Sequence, residues 1–120
     1  MKNFKELKIW QKGFEIAKAS FEITSTFPSQ EKFGLISQIN RCAVSIPSNV
    51  AEGSSRSSDK DYKRFIEISL GSCFELETQL LIAKQLKYGN EESITDLLNL
   101  IDEEQKMLIS FIKALSAHSS

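Results

Sequence analysis

The chain has 120 residues, 41% of them apolar and 26% charged, with a formal net charge of −1. That length fits one domain over 1–120 with a core of its own, and the balance excludes a disordered or collagen-like polymer. Near-neutral charge counts against a uniformly basic nucleic-acid footprint, and the longest apolar runs, such as "LLIA" at 80–83, fall far short of a membrane span.

The amino-terminal "MKNFKELKIWQK" is amphipathic and lysine-rich without the apolar stretch of a signal peptide, so a cytoplasmic location is expected. Phe4, Leu7, Phe14, Ala17 and Phe21 recur at threes and fours, widened by Trp10 and Ile16, which predicts an amphipathic helix with that stripe as its buried face. Asn3 is placed to cap it, with Glu6 in capping-box spacing. The helix is expected to stop near Phe27-Pro28, and Ser29 to restart the chain as an N-cap.

In the second segment Phe33, Ile36, Ile39, Ala43, Ile46 and Val50 form one stripe that runs through Pro47. A proline there lacks an N–H and crowds the carbonyl of Ala43, so the expectation is a continuous helix kinked near Pro47. Gly53 is expected to end it at positive φ, with "SSRSS" as the turn. Ser58 or Asp59 then caps a third helix carrying Tyr62, Phe65, Ile66, Cys73, Leu76, Leu80 and Ala83. Ile68, Leu70, Phe74, Leu81 and Ile82 fall outside that stripe, and so wide an apolar surface predicts burial on two sides, inside the bundle and against a further subunit or helix. Gly89 and Asn90 end the third helix and cap a fourth, whose face is Ile94, Leu97, Leu98, Ile101, Leu108, Phe111, Ile112 and Leu115, before a frayed tail at about 117–120. No alternating β-branched run reads as a strand. The fold expected is all-α, an up-down-up-down four-helix bundle, its last two helices roughly 40 Å long.

Chemistry finds little footing in this chain. The single histidine, His118, lies in the tail, which argues against a di-iron site and against Ser-His or Cys-His nucleophilic pairs. Cys42 and Cys73 lack the further ligands a zinc site needs and read as buried reduced thiols. "AEGSSRSS" lacks the GKS or GKT ending of a phosphate loop. Glu75 and Glu77, two apart on a helix, point in different directions. The expectation is no enzyme, no cofactor, no metal and no small-molecule substrate.

Polar residues do show a pattern. Arg41, Ser45, Ser48, Asn49 and Glu52 line one side of the second helix, while Arg64, Glu67, Gly71 and Glu75 line the third. These are two solvated faces or a partly buried network in which Arg41 or Asn49 meets Glu75 and fixes helix register. Gly71 would let another backbone or side chain approach closely. Charge is also uneven: residues 1–18 hold five Lys against two Glu, and residues 91–113 six acidic residues against two Lys.

The stretches "LKIWQKGFEIAK" (7–18), "FPSQEKFGLISQINRCAVSIPSNVAEGSSRSS" (27–58) and "ISLGSCFELETQLLIAKQL" (68–86) closely resemble the bacterial four-helix-bundle family of proteins encoded in intervening sequences of 23S ribosomal RNA genes. The resemblance covers roughly 4–116. Its pattern lands on Phe27, Pro28, Phe33, Gly34, Leu35, Gln38, Arg41, Ala43, Ser45, Ile46, Pro47, Asn49, Ala51, Glu52, Gly53, Ser72, Glu75 and Glu77, and departs at Cys73, where an aliphatic residue is commoner. The resemblance implies a helical bundle assembled into a ring, a homopentamer, with no molecular function established for most members. A related branch, accessory proteins of diversity-generating retroelements, implies nucleic-acid binding through a basic surface. The leading reading is therefore a non-enzymatic oligomeric scaffold acting by interaction; the rival is an RNA- or DNA-binding accessory protein contacting nucleic acid through Arg56, Lys60, Lys63 and Arg64.

Overall fold

The computed structural model describes residues 3–119. Four α-helices follow one another: α1 Lys8–Thr24, α2 Leu35–Ser54, α3 Asp59–Gln85 and α4 Glu91–Ser119, with single 3₁₀ turns at Phe4–Glu6 and Ser29–Glu31. Each helix packs on its chain neighbours and α1 closes the square against α4, while α1 and α3 do not touch. The molecule measures 47 × 21 × 20 Å, the shape of four long helices side by side, and the short α2–α3 and α3–α4 connections make it an up-down-up-down bundle without strands among the described residues.

The core is aliphatic. Ile39, Ala43, Ile46 and Val50 of α2, Ile66, Cys73, Leu76, Leu80 and Ala83 of α3, and Ile94, Leu97, Ile101 and Leu108 of α4 are buried, as their spacing predicts. In α1 the expected face holds only in part: Ile16 is buried and Leu7, Trp10 and Ala17 pack against the core, but the two phenylalanines do not. Ile9, Ile16 and Ile23, seven apart, point inward with Gly13 and Ser20, whereas Phe14 and Phe21 are 53% and 51% exposed. Both stripes have helical period, and the small Gly13 and Ser20 let α1 approach where aromatic rings would hold it away.

Several local expectations change. Asn3 caps the 3₁₀ turn by accepting from Lys5 N, and α1 begins only after Leu7. After Pro28 the chain makes the Ser29–Glu31 turn, α2 starts at Leu35, and Phe33 is 90% exposed. The continuity of α2 through Pro47 is as expected: the proline lies buried inside the helix, so Ala43 loses its usual i+4 donor. Gly53 is not a cap: the only positive-φ residues described are Lys87 and Gly89, and α2 runs on to Ser54. Its lack of a side chain serves packing, because a Cβ there would meet Phe65 Cβ at 2.9 Å and Tyr62 Cδ1 at 3.0 Å. Ser58 and Asn90 cap α3 and α4 by accepting from Asp61 N and Ser93 N. The tail expected to fray is helical through Ser119; Ser120 lies outside the described residues.

Candidate functional site

Of the two polar stripes, Arg64, Glu67 and Gly71 are exposed and a Cβ at Gly71 would meet nothing within 4 Å, while Arg41 and Ser45 of α2 and Glu75 of α3 border the seam between those helices. Small residues there bring the backbones close and leave hydroxyls to satisfy carbonyls: Ser69 Oγ donates to Ile46 O at 2.9 Å. Ser45 Oγ lies 2.7 Å from Cys42 O and 2.6 Å from Ser72 Oγ, Cys42 Sγ donates to Ser72 O at 3.1 Å, and Asn49 Nδ2 donates to Ser45 O at 2.7 Å. Asn49 thus bonds its own helix rather than Glu75. Glu52 pairs with Arg56 at 3.3 Å. Arg41 and Glu75 face a common cleft of about 410 Å³ with Gln38, Cys42, Ser45 and Gln79, but form no ion pair with each other. Burial, and then the Glu75 carboxylate beside it, push the Cys42 thiol up to about 12, and burial raises Cys73 further. Both stay protonated and free, poor nucleophiles and poor metal ligands.

The most unusual group was not legible as a site in the sequence. Glu104 of α4 is 0% exposed and neither carboxyl oxygen has a hydrogen-bond partner. It sits at mid-bundle: a Cβ added at Gly13 would lie 3.1 Å from its Oε2 and 3.3 Å from Pro47 N. Burial lifts its pKa to about 8, only partly opposed by Lys12, which is itself engaged by Glu103 at 2.8 Å. The carboxyl is therefore neutral at pH 7. Gln105 beside it donates to Glu77 Oε1 at 2.7 Å, so α3 and α4 share a polar layer within an aliphatic core. The signal was a gap: Ile101 and Leu108 are seven apart, and the turn between them must put 104 or 105 inward.

Arg56, Lys60, Lys63 and Arg64 gather at the α2–α3 turn. The Arg56 and Arg64 guanidiniums lie 4.6 and 5.7 Å from the centre of the Phe65 ring, which ties two cations to one aromatic ring. Of the α3 residues outside the core stripe, Leu70 packs against the core while Ile68, Phe74, Leu81 and Ile82 are exposed, as is Leu86 just past the helix end.

Among the described residues no group of three or more His, Cys, Asp or Glu could hold a metal ion, and no helix is long and apolar enough to cross a membrane. Glu104 is the one strongly perturbed carboxyl described, and zero exposure denies it contact with a substrate. What the arrangement offers the outside is surface: an apolar α3 flank, a basic tip and a polar α2–α3 cleft.

The family described as 23S rRNA-intervening sequence protein matches residues 5–110. Among solved structures, the chain is similar to a protein of unknown function from the S23 ribosomal protein family of Bacteroides thetaiotaomicron, at 27% identity and a TM-score of 0.81, covering 88% of this chain and 98% of that one. No curated protein matches the chain.

Proposed function

The chain belongs to the 23S rRNA-intervening sequence protein family, and we propose that it is a non-enzymatic scaffold that works as a homo-oligomer, a pentameric ring being the form the sequence resemblance implies. The observation that carries this reading is the exposed apolar flank of α3, Ile68, Phe74, Leu81, Ile82 and Leu86, on a helix whose core stripe is already satisfied. Four exposed aliphatic or aromatic side chains on this helix and Leu86 at its C-cap keep an unfavourable hydration that association removes, at roughly 25 cal/mol per Å² of apolar area covered. The interaction it serves lies with ribosomal RNA biology by the family's name, in the cytoplasm. Light scattering after size exclusion tests the reading: an assembly of several chains is expected, and a stable monomer at micromolar concentration would refute it.

A second reading has its own support in Arg56 and Arg64 at the Phe65 ring, with Lys60 and Lys63 nearby in the first turns of α3. A ring repeats that cluster in every chain, so a molecule of net charge −1 still presents a local basic surface to RNA or DNA phosphates. Binding titrated against salt should weaken steeply, and replacing Lys60 and Lys63 by Ala should flatten the slope by about one unit for each phosphate no longer neutralised. Salt-independent binding would sink it.

A further inference from the structure

We propose that the cleft between α2 and α3 binds a small zwitterion, an α-amino acid with a polar side chain, its carboxylate on Arg41, its ammonium on Glu75 and its side chain at Gln79. The site lies within one chain and does not rest on the homo-oligomer reading. The cleft has a volume of about 410 Å³, the size of a small-molecule site, and its walls are Gln38, Arg41, Cys42, Ser45, Glu75 and Gln79. None of the six is aliphatic or aromatic, although aliphatic side chains fill the core beneath them. An apolar ligand would strip water from these polar groups without replacing their hydrogen bonds, so the lining selects a polar one.

The polar groups divide into committed and free ones. Ser45 Oγ lies 2.7 Å from Cys42 O and 2.6 Å from Ser72 Oγ, and the Cys42 thiol donates to Ser72 O at 3.1 Å, so the floor is fixed by bonds within the bundle. Arg41 and Glu75 stand at the mouth, exposed, with no ion pair to each other or to another described residue. Opposite charges that share a cleft but do not pair are bridged by a molecule that carries both charges on neighbouring atoms, as an α-amino acid does. The planar guanidinium takes a carboxylate through two N–H groups, and the Glu75 carboxylate takes an ammonium. A simple anion or cation would satisfy one side and be repelled by the other.

Gln79 supplies the independent observation. It is 8% exposed, and its Oε1 is buried with no hydrogen-bond partner. A buried amide oxygen left unpaired carries a standing cost, and the last torsion of glutamine is broad, so the amide can turn to meet a molecule in the cleft. This favours a ligand whose side chain carries an N–H and disfavours leucine. Burial, with Glu75 beside it, keeps the Cys42 thiol protonated and a poor nucleophile, so the ligand is held rather than converted.

L-Glutamine is the probe. Isothermal titration of the full chain is expected to show saturable binding at one site per chain, and the unfolding temperature to rise with it. N-acetyl-L-glutamine, which lacks the ammonium, and L-glutamine α-amide, which lacks the carboxylate, should each bind about tenfold more weakly or worse, the loss of one hydrogen bond to a charged group. Arg41→Met and Glu75→Gln, both at exposed positions, should keep the unfolding temperature of the free protein and lose about tenfold in affinity. Gln79→Leu should abolish the preference for L-glutamine over L-leucine, which a merely structural role for Gln79 would not do. Absence of saturable L-glutamine binding overturns the inference. So does binding that either blocked derivative matches, or that Arg41→Met and Glu75→Gln leave unchanged. If L-glutamine does not bind and Arg41→Met lowers the assembled mass in light scattering, the cleft belongs to a contact between chains; the inference fails and the homo-oligomer reading stands. A monomer that binds L-glutamine supports the inference and refutes only the homo-oligomer reading.

Discussion

Replacing Glu104 by glutamine should remove a pH dependence that the wild type carries through neutrality. The folded carboxyl titrates at about 8 against an ordinary 4.5, because burial disfavours its charged form. A carboxyl raised on folding stabilises fully below its unfolded value, where both states hold the proton. As pH rises above that value the unfolded chain releases a proton that the folded one retains, and stability falls until the folded group ionises too. The slope in that window is about 1.4 kcal/mol per pH unit, and the whole loss is about 5 kcal/mol. In a chain of this size that is a fall in Tm of about 5 °C per unit. Urea unfolding followed by circular dichroism at steps from about pH 5 to about pH 9 reads the difference directly. Glu104→Gln should lie within about 1 kcal/mol of wild type at the acid end and pull ahead as pH rises. Glu104→Leu, which removes the unpartnered polar atoms as well, should gain about 1–4 kcal/mol at neutral pH. Stability curves for wild type and Glu104→Gln that run parallel would refute the reasoning, since only the ionisable group differs.

Gly53→Ala, in which the new methyl would fall 2.9 Å from Phe65 Cβ, should cost about 1–3 kcal/mol in thermal unfolding despite alanine's better helix propensity. Gly89→Ala should lose a comparable amount for a different reason, its φ of 68° combined with a contact at 2.9 Å to the Phe27 ring. Leu80→Ala, at a fully buried α3 position, should destabilise by about 2–5 kcal/mol. Cys42 and Cys73 should react with a disulfide reagent in native buffer far more slowly than in urea, and equal rates would contradict their burial and raised pKa values.

The core face of α2 was legible because Ile39, Ala43, Ile46 and Val50 form one apolar stripe at helical spacing, and in α3 and α4 the predicted stripes supply most of the buried residues although α3 carries further apolar residues outside its stripe. α1 carries two such stripes, and periodicity has no means of ranking them. Packing does, through Gly13 and Ser20, whose small size permits close approach to α2 and α4. Gly53 misled for a related cause: a glycine near a helix end suggests positive φ, whereas here it removes a collision with Tyr62 and Phe65 that only the three-dimensional crossing reveals. The polar cleft was half legible. Spacing put Arg41, Ser45 and Glu75 near one seam, but the bonds went to short side chains and backbone, Ser45 to Ser72 across the seam and Asn49 to the Ser45 carbonyl on its own helix, because these cost less side-chain ordering than a long Arg41–Glu75 pair.

The two features the sequence hid converge on the same helix. α1 makes its weaker contact with α4, and open grooves of about 480 and 570 Å³ run along that seam. Glu104 projects from α4 at the level of Gly13, so the unpartnered carboxyl is placed where α1 closes the bundle. The same helix bears the exposed Phe14 and Phe21 rings on its outer side. A second copy covering Phe14 and Phe21 would hold α1 from outside while the aliphatic Ile9, Ile16 and Ile23 hold it from within, so assembly and retention of α1 would become one equilibrium. Amide exchange measured across a dilution series tests this coupling: α1 protection should rise with chain concentration while the α2–α3 pair, closely packed through Ser45, Ser69 and Ser72, stays constant. Protection that rises equally in all four helices, or in none, would refute it.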